Sequence, residues 1–172
     1  MIYTLLESDH PLLKSPLPEI TAETEPENRK ELLDNMVETM KHYGGIGLSA
    51  NQVGLAIRMF AFGDNTHYIP CFNSRIIAYS DKKIPMEEGC LTYPGLFIKI
   101  YRPEWVTVTF EDENRELHEE TFRDLLARVF QHEYDHMEGI DFQSRAGKVS
   151  LDMAKRKVKK AMRKMKKMQE ER

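Results

Sequence analysis

Residues able to do chemistry are concentrated in three short segments of the 172-residue chain. The first, QHEYDH at residues 131–136, holds His132 and His136 four apart. On a helix that spacing projects both imidazoles from one face, so both can reach one cation. Glu133 adjoins the first histidine, close enough to handle a proton of an attacking water without itself being a ligand. An HExxH pattern of this kind belongs to metal-assisted hydrolysis, although a helix with two surface histidines shows the same letters.

A hydrolytic metal centre keeps three protein ligands and one open position. The position six residues after His136 is Phe142, which cannot ligate. Glu138 and Asp141 lie too close, and Asp152 opens a basic tail. The third ligand is therefore expected upstream. Cys90, in EGCLT, is the best candidate, because a glycine-preceded turn between strand-like runs can bring a thiolate to an ion. The plainer reading, a small buried core residue, suits Cys71 in IPCFN better. Two cysteines without an export signal do not suggest a disulfide scaffold. The third segment is GIGLSANQ, residues 45–52. Its glycines permit close backbone approach, and Gln52 can donate to a developing oxyanion. Alone, the segment reads as a helix-terminating glycine loop.

The elements that must position these residues follow from periodicity. Residues 1–20, with Pro11, Pro16 and Pro18, read as an extended lead-in. Leu32, Leu33, Met36, Val37 and Met40 predict a helix over about 25–43, ended by Gly44 and Gly45. From Ala56 to about Glu120 the pattern alternates as strands do, with turn signals such as Gly63-Asp64-Asn65 between the runs. A second helix is expected over about 122–137, opened by a Thr121/Asp124 capping box and closed by Gly139. A third begins near Ser150. The order helix, strands, helix, helix implies a single α+β domain rather than βαβ units. We expect antiparallel sheets packed around a central HExxH helix, with N-terminal and C-terminal helices.

Composition excludes several classes. Hydrophobic residues make up 41% and charged residues 31%, as in ordinary globular domains. No apolar run reaches the roughly 20 residues of a membrane span, and the start has no signal-peptide pattern. Net charge is −3, but residues 148–172 hold 11 Lys or Arg against 3 Asp or Glu. Leu151, Ala154, Val158, Ala161, Met162, Met165 and Met168 form an apolar stripe along this tail, opposite a lysine-rich face. The near half of the stripe should pack on the body. The far half is too cationic for core and suits an anionic partner, nucleic acid or membrane surface, or simply solvent. We divide the chain into a catalytic domain, 1–147, and a basic C-terminal helix, 148–172, that belongs to it or extends from it.

GIGLSANQ, EGCLT and QHEYDH occur in this order, with Cys90 42 residues before His132. Together they resemble the three signature motifs of the peptide deformylases. DHPLLK near the start and LARVFQHEYDHMEGIDF extend the resemblance over almost the whole chain. Ser49 stands where alanine is usual and Thr92 where serine is usual. Gly95-Leu96-Phe97 occupies a stretch in which some members place an arginine.

The resemblance implies hydrolysis of the N-formyl group from the N-terminal formyl-methionine of newly synthesised polypeptides. It implies Cys90, His132 and His136 as ligands of one divalent metal, most often Fe(II), replaceable by Zn(II), Ni(II) or Co(II). Glu133 would carry protons, and Gln52 with the backbone N–H of Leu91 would hold the oxyanion. The peptide would bind as an added strand at Ile46, Gly47 and Gly89, with its methionine against Ile46, Leu125 and Val129. Arg128 would edge that pocket or reach solvent. A cytoplasmic monomer is expected, of bacterial or phage-infected cells or as a mature organellar form, with the basic tail docking on ribosomal RNA. The rivals are a metallopeptidase of another type, which would cleave unformylated peptides, and a silent metal-binding translation partner.

Overall fold

The computed structural model describes residues 1–64 and 66–170. Asn65 of the expected turn, and Glu171 and Arg172 of the tail, lie outside them. Helix α1 is Arg29–His42. It starts four residues later than expected, because Asn28 is extended and its side chain accepts the N–H of Glu31 at 3.0 Å. That cap satisfies a donor the helix itself cannot pair, while Glu25 bonds Arg29 at 2.6 Å from outside the helix.

Among the described residues seven strands follow: β1 (Gly47–Ser49), β2 (Met59–Gly63), β3 (Tyr68–Tyr79), β4 (Lys83–Cys90), β5 (Tyr93–Pro103), β6 (Trp105–Glu111) and β7 (Leu117–Arg123). They form an antiparallel five-stranded sheet in the order β1-β2-β3-β6-β7 and an antiparallel β4-β5 pair. Strand structure thus begins at Gly47 rather than Ala56. Three residues are too few for alternation to be visible, and β1 exists through its long-range pairing with Phe60, Ala61 and Phe62.

Helix α2 is Asp124–Met137. The expected capping box does not form. Strand β7 runs straight into the helix, Arg123 caps it without a side-chain bond, and Asp124 makes the corner at φ +51°. Phe122 therefore belongs to the strand. It faces inward opposite Val106 and packs its ring on Phe62 and Phe130. Gly139 closes α2 at φ +66°. A Cβ there would sit 2.7 Å from the Ser15 backbone, so the segment returning beneath the helix requires glycine.

Alternation along β2 places Phe60 and Phe62 on one face of the sheet and Met59 and Ala61 on the other. The first face packs on α2 through Phe130, Ala127 and Met137. The second packs on α1 through Met36 and Met40. A third cluster joins Leu96, Ile98 and Ile100 of β5 to Phe142 and to Leu151, Ala154 and Val158 of α3 (Lys148–Glu170). The fold is the expected α+β class, with α2 buried at its centre. Among the described residues no helix is long and apolar enough to cross a membrane.

Candidate metal centre

Three elements converge on one point. Cys90 ends β4, while His132 and His136 stand one turn apart on α2. Their ligand atoms all lie within 4.8 Å of one another, and Cys90 Sγ is 3.4 Å from His136 Nε2. A sulfur and two imidazoles drawn this close, all buried, suit Fe(II), Zn(II) or Ni(II). The surroundings fit such an ion as well. His132 Nδ1 lies 3.1 Å from Glu88 Oε2, which leaves Nε2 for the cluster. A carboxylate on the far nitrogen is the usual way to fix a ligating imidazole.

Glu88 is the functional residue that sequence reasoning missed. It is 4% exposed and accepts both arms of Arg102, at 2.6 and 2.9 Å, together with Arg128 at 2.7 Å. Arg102 also reaches Asp135 at 2.7 Å, and Arg145 reaches Asp135 at 2.6 Å. Burial alone would raise the Glu88 carboxyl. Its bonds to His132 and Arg102 outweigh that and hold it well below the usual carboxylate range. The signal was present in the strand period: Glu88 and Cys90 share the inward face of β4, and an inward carboxylate must be paired. Arg128, left between pocket and solvent, is 3% exposed. It braces Glu88 and binds the carbonyls of Ile84 and Ile100 at 2.6 and 2.9 Å.

Burial works against charge on both histidines, with different outcomes. For His132 the bonds to Cys90 and Glu88 prevail, and its pKa rises to about 10. For His136 burial dominates, helped by the neighbouring His132, and its pKa falls well below the usual value. Loading a cation here therefore releases protons.

Glu133 is 4% exposed and lies beside the cluster. Its Oε2 accepts the Ser49 hydroxyl at 2.6 Å. Its Oε1 sits against Gly47, where a Cβ would strike both Oε1 and Val129. Strand β1 thus receives this carboxylate between a donor and a gap. Burial pushes the Glu133 carboxyl above its ordinary value, as a base working near neutrality needs. Gln52 is held by its carbonyl, which accepts the Ser49 N–H at 3.0 Å. Its amide faces Thr92 Oγ1 at 3.0 Å and Cys90 Sγ at 3.4 Å. Asn51 binds the His136 carbonyl at 2.8 Å and ties the glycine-rich segment to the end of α2.

One cavity of about 690 Å³ opens at this cluster. Ile46, Gly47, Gly89, Leu91, Leu125 and Val129 line it, as do Gln52, Cys90, His132 and Glu133. His136 is not part of its wall and reaches the cluster from behind. Cys71 is elsewhere, fully buried in the aromatic core, and burial pushes its thiol well up.

The family model of polypeptide deformylases matches residues 2–157. Peptide deformylase 1B, chloroplastic/mitochondrial, of Arabidopsis thaliana is 40% identical over 132 residues, 73% of this chain. The matched region spans 48% of that plant relative, about half its length. The peptide deformylase of Christiangramia forsetii is 33% identical over 175 residues, covering 92% of this chain and 88% of the relative. The crystal structure of a peptide deformylase from Legionella pneumophila has a TM-score of 0.83 at 30% identity, covering 96% of this chain and 98% of that one.

Proposed function

Because this chain belongs to the polypeptide deformylase family, we propose that it hydrolyses the N-formyl group of N-terminal formyl-methionine on new polypeptides and releases formate. The observation that carries the reading is the Cys90, His132 and His136 cluster with Glu133 beside it, three of these four residues (Cys90, His132 and Glu133) lining one cavity. A peptidase of another type would need a different third ligand, and the cysteine already supplies one.

Cys90, His132 and His136 would hold one divalent ion, Fe(II) in our reading, with Zn(II), Ni(II) or Co(II) compatible with the same donors. When bound, the ion supplies Lewis-acid activation of water and of the formyl carbonyl. Glu133 takes a proton from the attacking water at Oε1, the oxygen that Ser49 leaves unoccupied. It returns a proton to the departing amine. Gln52 and the backbone N–H of Leu91 donate to the oxygen that gains charge, the type of contact whose loss costs about 100- to 1,000-fold in rate.

The peptide binds as an added strand. Strand β1 ends the five-stranded sheet and β4 belongs to the separate pair. Both border the cavity, at Ile46, Gly47 and Gly89. The methionine side chain packs on Ile46, Leu125 and Val129. Ile46 and Leu125 are 49% and 53% exposed in the free protein, so substrate would cover them. We read the protein as a monomer of the cytoplasm or of an organelle interior. The direct test is formate release from formyl-Met-Ala-Ser, with Fe(II) or Ni(II) added under anaerobic conditions because thiolates oxidise. Turnover of the formyl peptide and none of Met-Ala-Ser is expected. Cleavage of internal peptide bonds instead would reject the reading.

The basic tail extends this function. The first half of α3 packs against the third core cluster through the partly buried Leu151, Ala154 and Val158. Beyond them Met162, Met165 and Met168 are exposed among lysines and arginines. We assign this half to docking on ribosomal RNA, where nascent chains emerge. Co-sedimentation with ribosomes should be strong for the full chain and fall steeply with salt. It should be lost from a chain ending at Lys160, which keeps the packed half of the helix. Equal pelleting of both chains would exclude the assignment.

A further inference from the structure

The proton carrier and the oxyanion donor stand on different elements, α2 and the 3-10 turn Ala50–Val53, yet Ser49 touches both. Ser49 ends β1 and is fully buried. Alternation sends Leu48 into the cluster packed on α1 and turns Gly47 and Ser49 to the other face, toward α2. The Glu133 carboxylate spans these two positions. Gly47 leaves room for Oε1, and the Ser49 hydroxyl donates to Oε2 at 2.6 Å. The backbone N–H of Ser49 donates to Gln52 Oε1 at 3.0 Å, which turns the amide nitrogen of Gln52 toward Cys90 and Thr92. Ser49 is not part of the cavity wall, whereas Glu133 and Gln52 are.

Two acceptors lie within reach of the hydroxyl, Glu133 Oε2 at 2.6 Å and the Glu133 backbone carbonyl at 3.3 Å. The nearer, charged oxygen wins the hydrogen, because charge-assisted bonds are shorter and stronger. A bond of this kind in a buried site holds the plane of the carboxylate. With Oε2 engaged, Oε1 is the oxygen left for water. Alanine at position 49 would leave a buried carboxylate oxygen without its donor, and Glu133 would turn to find another. The backbone bond to Gln52 would survive that change. The hydroxyl is therefore separable from the strand that carries it.

We propose that Ser49 is a positioning residue of the reaction: its hydroxyl fixes Glu133 while its N–H fixes Gln52, so that proton carrier and oxyanion donor keep one separation. This rests on the deformylase reading. Ser49 acts only through these two side chains, so it should affect the chemical step and not substrate binding.

The test is a double-mutant cycle on formyl-Met-Ala-Ser with the Ni(II)-loaded full chain, Ser49→Ala, Glu133→Gln and the double variant. Ser49→Ala should lower kcat about tenfold, the equivalent of one hydrogen bond to a charged group. KM should stay within about twofold of the parent, and metal content should match it. On the Glu133→Gln background the same substitution should change kcat by less than about twofold, because no proton carrier is left to position. An equal fall on both backgrounds would mean that the hydroxyl serves the fold alone, and would overturn the proposal. So would a kcat for Ser49→Ala at the parent level, or a loss confined to KM. Each of these results leaves deformylation intact. Absence of formate from the parent would reject the function, and the proposal with it.

Discussion

Glu133→Gln should abolish nearly all turnover while metal content stays at the parent level. The expected loss is about 100- to 10,000-fold in kcat, the range contributed by a positioned proton carrier. Glutamine is isosteric, so it still fits the gap above Gly47 and can still accept the Ser49 hydroxyl through its carbonyl. It cannot accept a proton from water. Because Glu133 is 4% exposed, replacing a buried carboxyl by a neutral amide removes a desolvation cost rather than adding one. The thermal midpoint should therefore be unchanged or slightly higher. Formate-release kinetics, elemental analysis of dialysed protein and a melting curve together check the assignment. A variant that folds but comes out stripped of metal would mean that Glu133 is a ligand, not a proton carrier.

The candidate metal ligands and the candidate proton carrier stood out in the sequence because chemistry constrains such residues locally. Two histidines on one helical face announce themselves by spacing alone. Cys90 emerged by elimination of the downstream carboxylates, and the structure brings it to 3.4 Å from His136. The buried charges behind the ligands were harder to read. Glu88, Arg102, Arg128, Asp135 and Arg145 look in sequence like solvated charges on separate elements. They become one network only when β4, β5 and α2 are packed together. Ser49 was noted for its identity and not for its task, since its partner Glu133 lies 84 residues away. The helix starts failed for a related reason. Asn28 and Asp124 set them through cap and corner geometry, which apolar periodicity does not encode. Strand β1 is created by pairing with β2, so no three-residue pattern could have revealed it.

The two cysteines offer a second large effect, and here the fold predicts opposite behaviours for one substitution. Cys90→Ser replaces a thiolate by a hydroxyl that does not ionise at working pH. Loss of a residue that merely orients a ligand costs about 10- to 100-fold in metal affinity, so loss of the ligand itself should exceed that. The variant should emerge from dialysis with little metal. Its fold should persist, because the remainder of the third core cluster, Ile98, Ile100 and Phe142, is untouched. Cys71→Ser should do the reverse. Cys71 is fully buried among Phe60, Val108 and other apolar side chains. A serine hydroxyl placed there without a partner costs about 1–3 kcal/mol, which lowers the thermal midpoint and leaves the metal in place. Measuring metal stoichiometry and melting on both variants separates the roles. Equal metal loss from the two would mean that the third ligand is not Cys90. Cys71 cannot then take its place without leaving the aromatic core, so the centre would have to recruit a carboxylate, and Glu88 is the one already in contact with His132.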